Sequence, residues 1–240
     1  MKSTKPKGRF TLDDFEKGLM LAGYILPSTV QDLQERESLE QHEKEEAEVA
    51  RQTYFKRVVL AAEIASKLHQ EPTLGKVKFQ KLVYLCEFAA HMNLQSRYQK
   101  QTAGPFDNKF MHSIAEEFKK NKWFSVEEQM SNGFKRFKYV PMTNSNGYKD
   151  YYQRYFGSSD QSIQSIISLF RRKSTDDTEL AATVHACITE LSTKDLPITR
   201  DAITSLFYAW SSAKSRFSEQ QIIDSAAWLK KNGLLEQDIH

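Results

Sequence analysis

Apolar side chains recur at helical spacing along most of the chain, and the interruptions mark out its elements. Thr11 is placed to cap a helix carrying Phe15, Leu19 and Ala22, which Gly23 ends. Pro27 leads into Ser28-Thr29-Val30-Gln31, which has capping-box form, so a long helix starts there. Between Gln34 and Glu48 that helix holds seven glutamates and one large apolar residue, Leu39. With no stripe to bury, this stretch reads as a solvated arm or spacer, or else as an acidic surface for a basic partner or one strand of a weak coiled coil. Period returns with Tyr54, Phe55, Val58, Ala62, Ala65 and Leu68, until Pro72 and Gly75 close the segment. From Lys76 to Met92, Phe79, Leu82, Val83, Cys86 and Ala90 share one face while Tyr84, Leu85 and Phe88 occupy another. A helix apolar around most of its circumference belongs at the centre of a domain.

An extended piece after Tyr98 runs into Ala103-Gly104-Pro105-Phe106-Asp107, where Gly-Pro predicts a turn and Asp107 the cap of a helix holding Phe110, Met111, Ile114 and Phe118. Two β-rich runs follow, Trp123 to Gln129 and Phe134 to Val140, around a Ser131-Asn132-Gly133 turn. The remainder is helical: Tyr148 to Phe156, Asp160 to Lys173, Thr178 to Leu191, a helix from Thr199 through Trp210, and one opened by the Ser218 to Gln221 capping box and ended by Gly233. The fold class is therefore mainly α: a helical core with one winged-helix-like β-hairpin and a long charged N-terminal helix. Residues 1–9 read as a flexible basic tail, 10–52 as helix and Glu-rich arm, 53–156 as the core with its hairpin, and 157–240 as a C-terminal helical subdomain hinged at Gly157-Ser158-Ser159.

Composition narrows the function classes. Nine glycines and six prolines in 240 residues are too few for an all-β sandwich, and no apolar run approaches the ~20 residues of a membrane span. Lys plus Arg exceeds Asp plus Glu by 34 − 31 = 3, too small a balance to argue for nucleic acid. The basic start has no apolar segment behind it, and two cysteines cannot form a disulfide framework, so a cytoplasmic protein is expected.

Candidate chemistry is sparse. The six histidines and two cysteines show no metal-ligand spacing, and phosphate-binding glycine loops are missing, so neither a cofactor nor a metal is expected. Asp107 with Glu117-Phe118-Lys119 imitates a nuclease motif, but at helical rather than strand spacing. Two binding surfaces suggest themselves instead. Lys76, Lys78 and Lys81 crowd the first turns of their helix, where they oppose the dipole; they either run along the surface or mark a place for an anionic group. With Tyr84, Gly104, Pro105 and Phe106 they make a candidate protein-docking face. Lys119, Lys120 and Lys122 before the hairpin, with Lys135, Arg136 and Lys138 in its second strand, make a candidate contact to duplex DNA, unless Glu127 and Glu128 opposite simply pair with them.

The run Gly75-Lys-Val-Lys-Phe-Gln-Lys-Leu-Val-Tyr-Leu85, with Ala103-Gly-Pro-Phe-Asp-Asn108 about twenty residues on, resembles a carboxy-terminal extension of bacterial type I restriction–modification specificity subunits. Leu180-Ala-Ala-Thr-Val184, Lys214-Ser-Arg-Phe-Ser-Glu219 and Trp228-Leu229 resemble the end of that extension. More distantly, Lys78, Lys81, Leu82, Tyr84 and Gly104-Pro105 resemble the Panacea antitoxin domain, a helical module that neutralises toxins by binding them. The resemblance spans residues 50 to 235 and implies a non-enzymatic module of a defence system, whose partner is a restriction–modification subunit or a toxin and whose DNA contact is weak. Specificity subunits also carry two target-recognition domains, which this chain lacks, so the implied role is that of an accessory. The alternative is a winged-helix transcriptional regulator.

Overall fold

The computed structural model describes residues 11–24, 27–131, 134–235 and 237, with side chains at all of these except 12, 13, 27–34, 95, 131, 134 and 135. The basic tail at 1–9, the Asn132-Gly133 turn and the capping-box side chains at 28–31 lie outside the described residues. The chain divides into two compact units, Met1–Thr53 and Tyr54–His240.

In the first unit, α1 (Leu12–Leu21) starts at the expected cap. The Asp14 amide donates to Thr11 Oγ1 (3.2 Å) and the Thr11 amide donates back to the Asp14 carboxylate (3.0 Å), a complete capping box. Gly23, at φ +83°, takes the left-handed conformation that stops the helix. Every residue from 35 to 50 of α2 (Pro27–Leu68) is exposed, as a stretch without an apolar stripe must be. Spaced polar pairs such as Gln41–Glu45 (2.7 Å) line it.

The second unit is built around two helices, α3 (Lys76–Ala89) and α7 (Thr175–Thr193). All ten residues from Lys78 to Glu87 are buried, so α3 is the central helix its pattern announces. It packs on α6 (Asp160–Phe170) and α7, while α7 also packs on α8 (Arg200–Tyr208) and α9 (Glu219–Lys231). One hydrophobic cluster contains Val58, Phe79, Phe110, Phe118, Trp123, Tyr148, Ile163, Val184, Phe207 and Leu229 together. Residues on both sides of Gly157–Ser159, a short 3-10 turn between α5 (Lys149–Phe156) and α6, therefore share one core. Among the described residues no helix is long and apolar enough to cross a membrane.

Two antiparallel ribbons complete the unit. β3 (Phe124–Ser131) and β4 (Phe134–Pro141) form the expected hairpin directly after α4 (Asn108–Lys120). Tyr139 is buried and Phe137 half-buried, so Arg136 and Lys138 project from the other, solvent face. Gly104-Pro105 differs from its reading as a turn: β2 (Gly104–Phe106) pairs with β1 (Gln99–Gln101), and the chain reverses at Thr102-Ala103. Proline fits because it sits in a two-stranded ribbon that does not need its missing N–H, while its carbonyl is fully used.

A charged knot lies inside this apolar frame. Arg57 of α2 donates to Glu87 of α3 through Nε (2.6 Å) and Nη2 (3.3 Å), and to Asp107 through Nη1 (2.6 Å). Asp107 uses its other oxygen to cap α4 at the Phe110 amide (3.1 Å). Tyr98 donates to Glu87 (2.6 Å), and the guanidinium sits 4.0 Å from the centroid of the Phe110 ring. Removing Arg57 would leave two buried carboxylates unpaired, so Arg57→Met should cost about 3–5 kcal/mol. Arg57→Met combined with Glu87→Gln and Asp107→Asn should cost less than the three single changes summed. Urea unfolding at neutral pH measures both; additive costs would mean the knot contributes no coupling.

Candidate functional site

The three lysines that open α3 meet different fates. Lys76 stays half-buried, its ammonium 5.5 Å from the Phe137 ring centroid. Lys78 and Lys81 are fully buried, which corrects their reading as a charged face offered to a partner. The anionic compensation expected for Lys78 is internal: its ammonium donates to the carbonyls of Arg171 (3.0 Å) and Lys173 (2.7 Å), at the negative end of α6, and to the Thr73 hydroxyl (2.7 Å). Burial pushes Lys78 down to about 8.

Lys81 ties the two halves of the sequence motif together. Its ammonium donates to the Pro105 carbonyl (2.5 Å), which also accepts from Gln80 (3.0 Å). Gly104 is required at this contact. Its φ is +95°, and a side chain there would come within 2.5 Å of Thr183 Oγ1 and 3.5 Å of Lys81 Cε. Beyond Thr183 lies a second buried cation, Lys214, held by Glu179 (2.8 Å) and Thr183 (3.0 Å). Burial, reinforced by Lys214, pushes Lys81 down to about 7.

Tyr84 and Pro105 do reach a surface. They line a groove of about 240 Å³ between β1, α7 and the end of α8, together with Tyr98, Ala186 and Trp210. The Trp210 indole donates to the Gln101 carbonyl (2.9 Å), pinning this wall to β1. The Tyr84 hydroxyl, 2.9 Å from His185 Nδ1, fixes the floor. Burial lowers His185 to about 4, so the imidazole is neutral near pH 7. On the rim Glu190 is shared by Lys100 (2.8 Å) and Lys194 (2.6 Å), whose hydrogen bonds hold its carboxyl low despite partial burial. Phe106, on the same strand, is half-buried with the Lys81 ammonium 6.0 Å from its ring centroid.

Of the seven proposed docking residues, the structure thus brings Tyr84 and Pro105 to an accessible groove and turns Lys81 and Gly104 into its internal supports, while Lys78 is buried against the end of α6 instead. Trp210, Ala186, Lys100, Glu190 and Lys194 were missed. Trp210 reads as core because it continues the period of Ile203 and Phe207, and its partner Gln101 is 109 residues away.

The candidate DNA-contacting residues Lys119, Lys120, Lys122, Arg136 and Lys138 are all exposed, at the end of α4 and on the adjoining hairpin; the Lys135 side chain lies outside the described residues. The register sets Lys138 opposite Glu127 and Arg136 opposite Gln129, and Lys120 lies 3.5 Å from Glu117. In the nuclease look-alike, Glu117 and Lys119 lie on helix α4 and both Asp107 oxygens are engaged by Arg57 and the Phe110 amide. Among the described residues no group of three or more His, Cys, Asp or Glu side chains gathers as a metal site would require.

Compared with known proteins, the chain matches no family model, no curated protein and no solved structure.

The buried lysine gives a pH test. The unfolded chain holds the Lys81 proton up to the usual 10.5, whereas the folded one releases it near 7. Between these values the unfolded state binds more protons, so stability should rise with pH, by at most about 1.4 kcal/mol per unit for this one group. Lys81→Met leaves Gln80 on the Pro105 carbonyl and should flatten the rise between pH 7 and 8. Denaturant midpoints across that range read the difference, and identical slopes would mean that Lys81 keeps its proton in the fold.

Proposed function

We propose that the chain is a non-catalytic interaction module of a bacterial defence system, either a restriction–modification accessory or an antitoxin-like protein, that binds a partner protein through the groove between β1, α7 and Trp210. The groove itself carries this reading: an apolar floor of Tyr84, Tyr98 and Pro105 under a charged rim, with the floor fixed by the buried Tyr84–His185 bond and one wall by the Trp210–Gln101 bond. Aromatic side chains held in place beneath a polar rim are the composition of protein-binding hot spots. The meeting of Lys81 with Gly104-Pro105 makes two stretches more than twenty residues apart into one structural joint beneath the groove.

The test uses co-expression with the products of adjacent genes. Ala186→Arg places a long cation in the groove from a half-buried position on α7 and should abolish a specific complex while leaving the thermal midpoint unchanged. A complex that survives in the folded variant would move the interface elsewhere. Lys78→Glu and Lys81→Glu are unsuitable as surface probes, because each would bury a carboxylate against carbonyl oxygens and unfold the protein.

The exposed cations beside the hairpin support an auxiliary duplex contact. Replacing Lys119, Lys122, Arg136 and Lys138 with Gln should weaken binding to all sequences alike and flatten the salt dependence by about 0.9 per lost phosphate contact. An unchanged slope would remove the hairpin from the proposal.

A further inference from the structure

We infer that the occupant of the groove is an acidic peptide segment of the partner, in which one large apolar side chain enters the cavity and a neighbouring carboxylate lands between Lys100 and Lys194. This rests on the protein-binding reading and adds the chemistry of what is bound.

Size comes first. At about 240 Å³ the cavity falls below the ~300–1,000 Å³ usual for sites that enclose a free small molecule, but it has room for one aromatic or branched side chain. Its interior, formed by Tyr84, Tyr98, Pro105, Ala186 and Trp210, is what such a side chain would displace water from.

Charge selects the neighbour. Lys100 takes one oxygen of Glu190 and Lys194 takes the other, so a single carboxylate holds two ammonium groups and the rim keeps one excess positive charge. An ammonium has three donors, and these two side chains remain 46% and 59% exposed, so each can accept a second anion without leaving Glu190. A carboxylate next to the buried side chain completes the arrangement, and a cation in that place is repelled.

Shape disfavours a nucleotide. The Lys100 ammonium lies 5.2 Å from the Trp210 ring centroid, covering the face on which a base would stack. The indole N–H is already bonded to Gln101, and the Ser211 hydroxyl donates to the Thr102 carbonyl (3.4 Å). The walls are therefore in place before binding, which lowers the ordering cost for a flexible peptide.

The experiment follows the three tryptophan indole N–H signals in a ¹H–¹⁵N spectrum of the intact chain. The probes are terminally blocked tetrapeptides, glycine-phenylalanine-glutamate-glycine and its lysine-for-glutamate counterpart, with adenosine monophosphate as a third. The acidic peptide should shift the Trp210 signal saturably and leave Trp123 and Trp228 unmoved. The lysine peptide should bind at least fivefold more weakly, Lys194→Gln should weaken the acidic peptide about two- to fivefold, as expected for an exposed ion pair, and Ala186→Arg should abolish the shift. No saturable shift, equal affinity for the two peptides, or tighter binding of the nucleotide would each overturn the inference. If Ala186→Arg loses the co-expressed partner while the acidic peptide does not bind, the groove remains an interface and only its occupant has been misassigned. If the partner is kept while the peptide binds, the protein-binding reading fails and the peptide chemistry stands.

Discussion

The second unit depends on one buried guanidinium. Arg57 faces Glu87 and Asp107 with a planar fork that meets one carboxylate in bidentate fashion and the other through its remaining nitrogen. Lysine could not replace it, because a single ammonium cannot span both. Each partner carries a further obligation: Asp107 starts α4, and Glu87 accepts the Tyr98 hydroxyl. The positions of the Tyr54–Leu68 part of α2, of α3, of the strand that follows Tyr98 and of α4 are therefore set by the same charge. Burial raises the Glu87 carboxyl above its ordinary range and Arg57 pulls it back, so the cost of burying these groups is offset only while all three are present. Such a knot is weak evidence for net stability, since desolvation offsets most of its Coulombic gain, but breaking it by losing one member leaves buried charge unpaired.

The buried lysines extend that logic. Hydrophobic periodicity counts lysine as polar and assigns it to solvent, yet Lys78 and Lys81 sit in the most deeply buried helix of the unit. What makes this tolerable is a supply of accepting backbone carbonyls: the chain just past α6 presents those of Arg171 and Lys173 to Lys78, and β2 presents that of Pro105 to Lys81 and Gln80. The expected conflict with the α3 dipole is thus real, and the fold answers it from within by setting the negative end of one helix against the cationic start of another.

Local physics was legible, and long-range pairing was not. The caps at Thr11, Asp107, Thr199 and Ser218 were readable because a side chain bonding to an amide three residues on leaves a short sequence trace. The central place of α3 and the β3–β4 hairpin were readable from apolar spacing for the same reason. The Ser174–Asp177 capping box that starts α7 was overlooked because a polar run precedes its first apolar residue. Gly104-Pro105 was misread because that pair signals turns in general, and only the distant Thr183 and Lys81 show why a glycine and a proline stand in a strand. The groove was half legible: Tyr84 and Pro105 belong to the motif, whereas Ala186, Glu190, Lys194 and Trp210 reach it through α7 and α8 packing that no local pattern encodes.

The charged knot and the groove are connected rather than merely close. Tyr98 donates to Glu87 inside the knot and lends its ring to the groove, where it lies edge-on to Tyr84 at 4.9 Å. Tyr84 in turn is bonded to His185 of α7, and the Pro105 carbonyl beside it is anchored by Lys81 and Gln80. Every aromatic on the floor therefore has its polar end fixed by a buried partner, which leaves its apolar face as the only part available to a ligand. The floor residues are thus committed to the core and hold it rigid, whereas Lys100, Glu190 and Lys194 stand on the rim, where substitution costs the fold little. Substitution there can alter the charge at the edge of the groove while the knot beneath it stays the same.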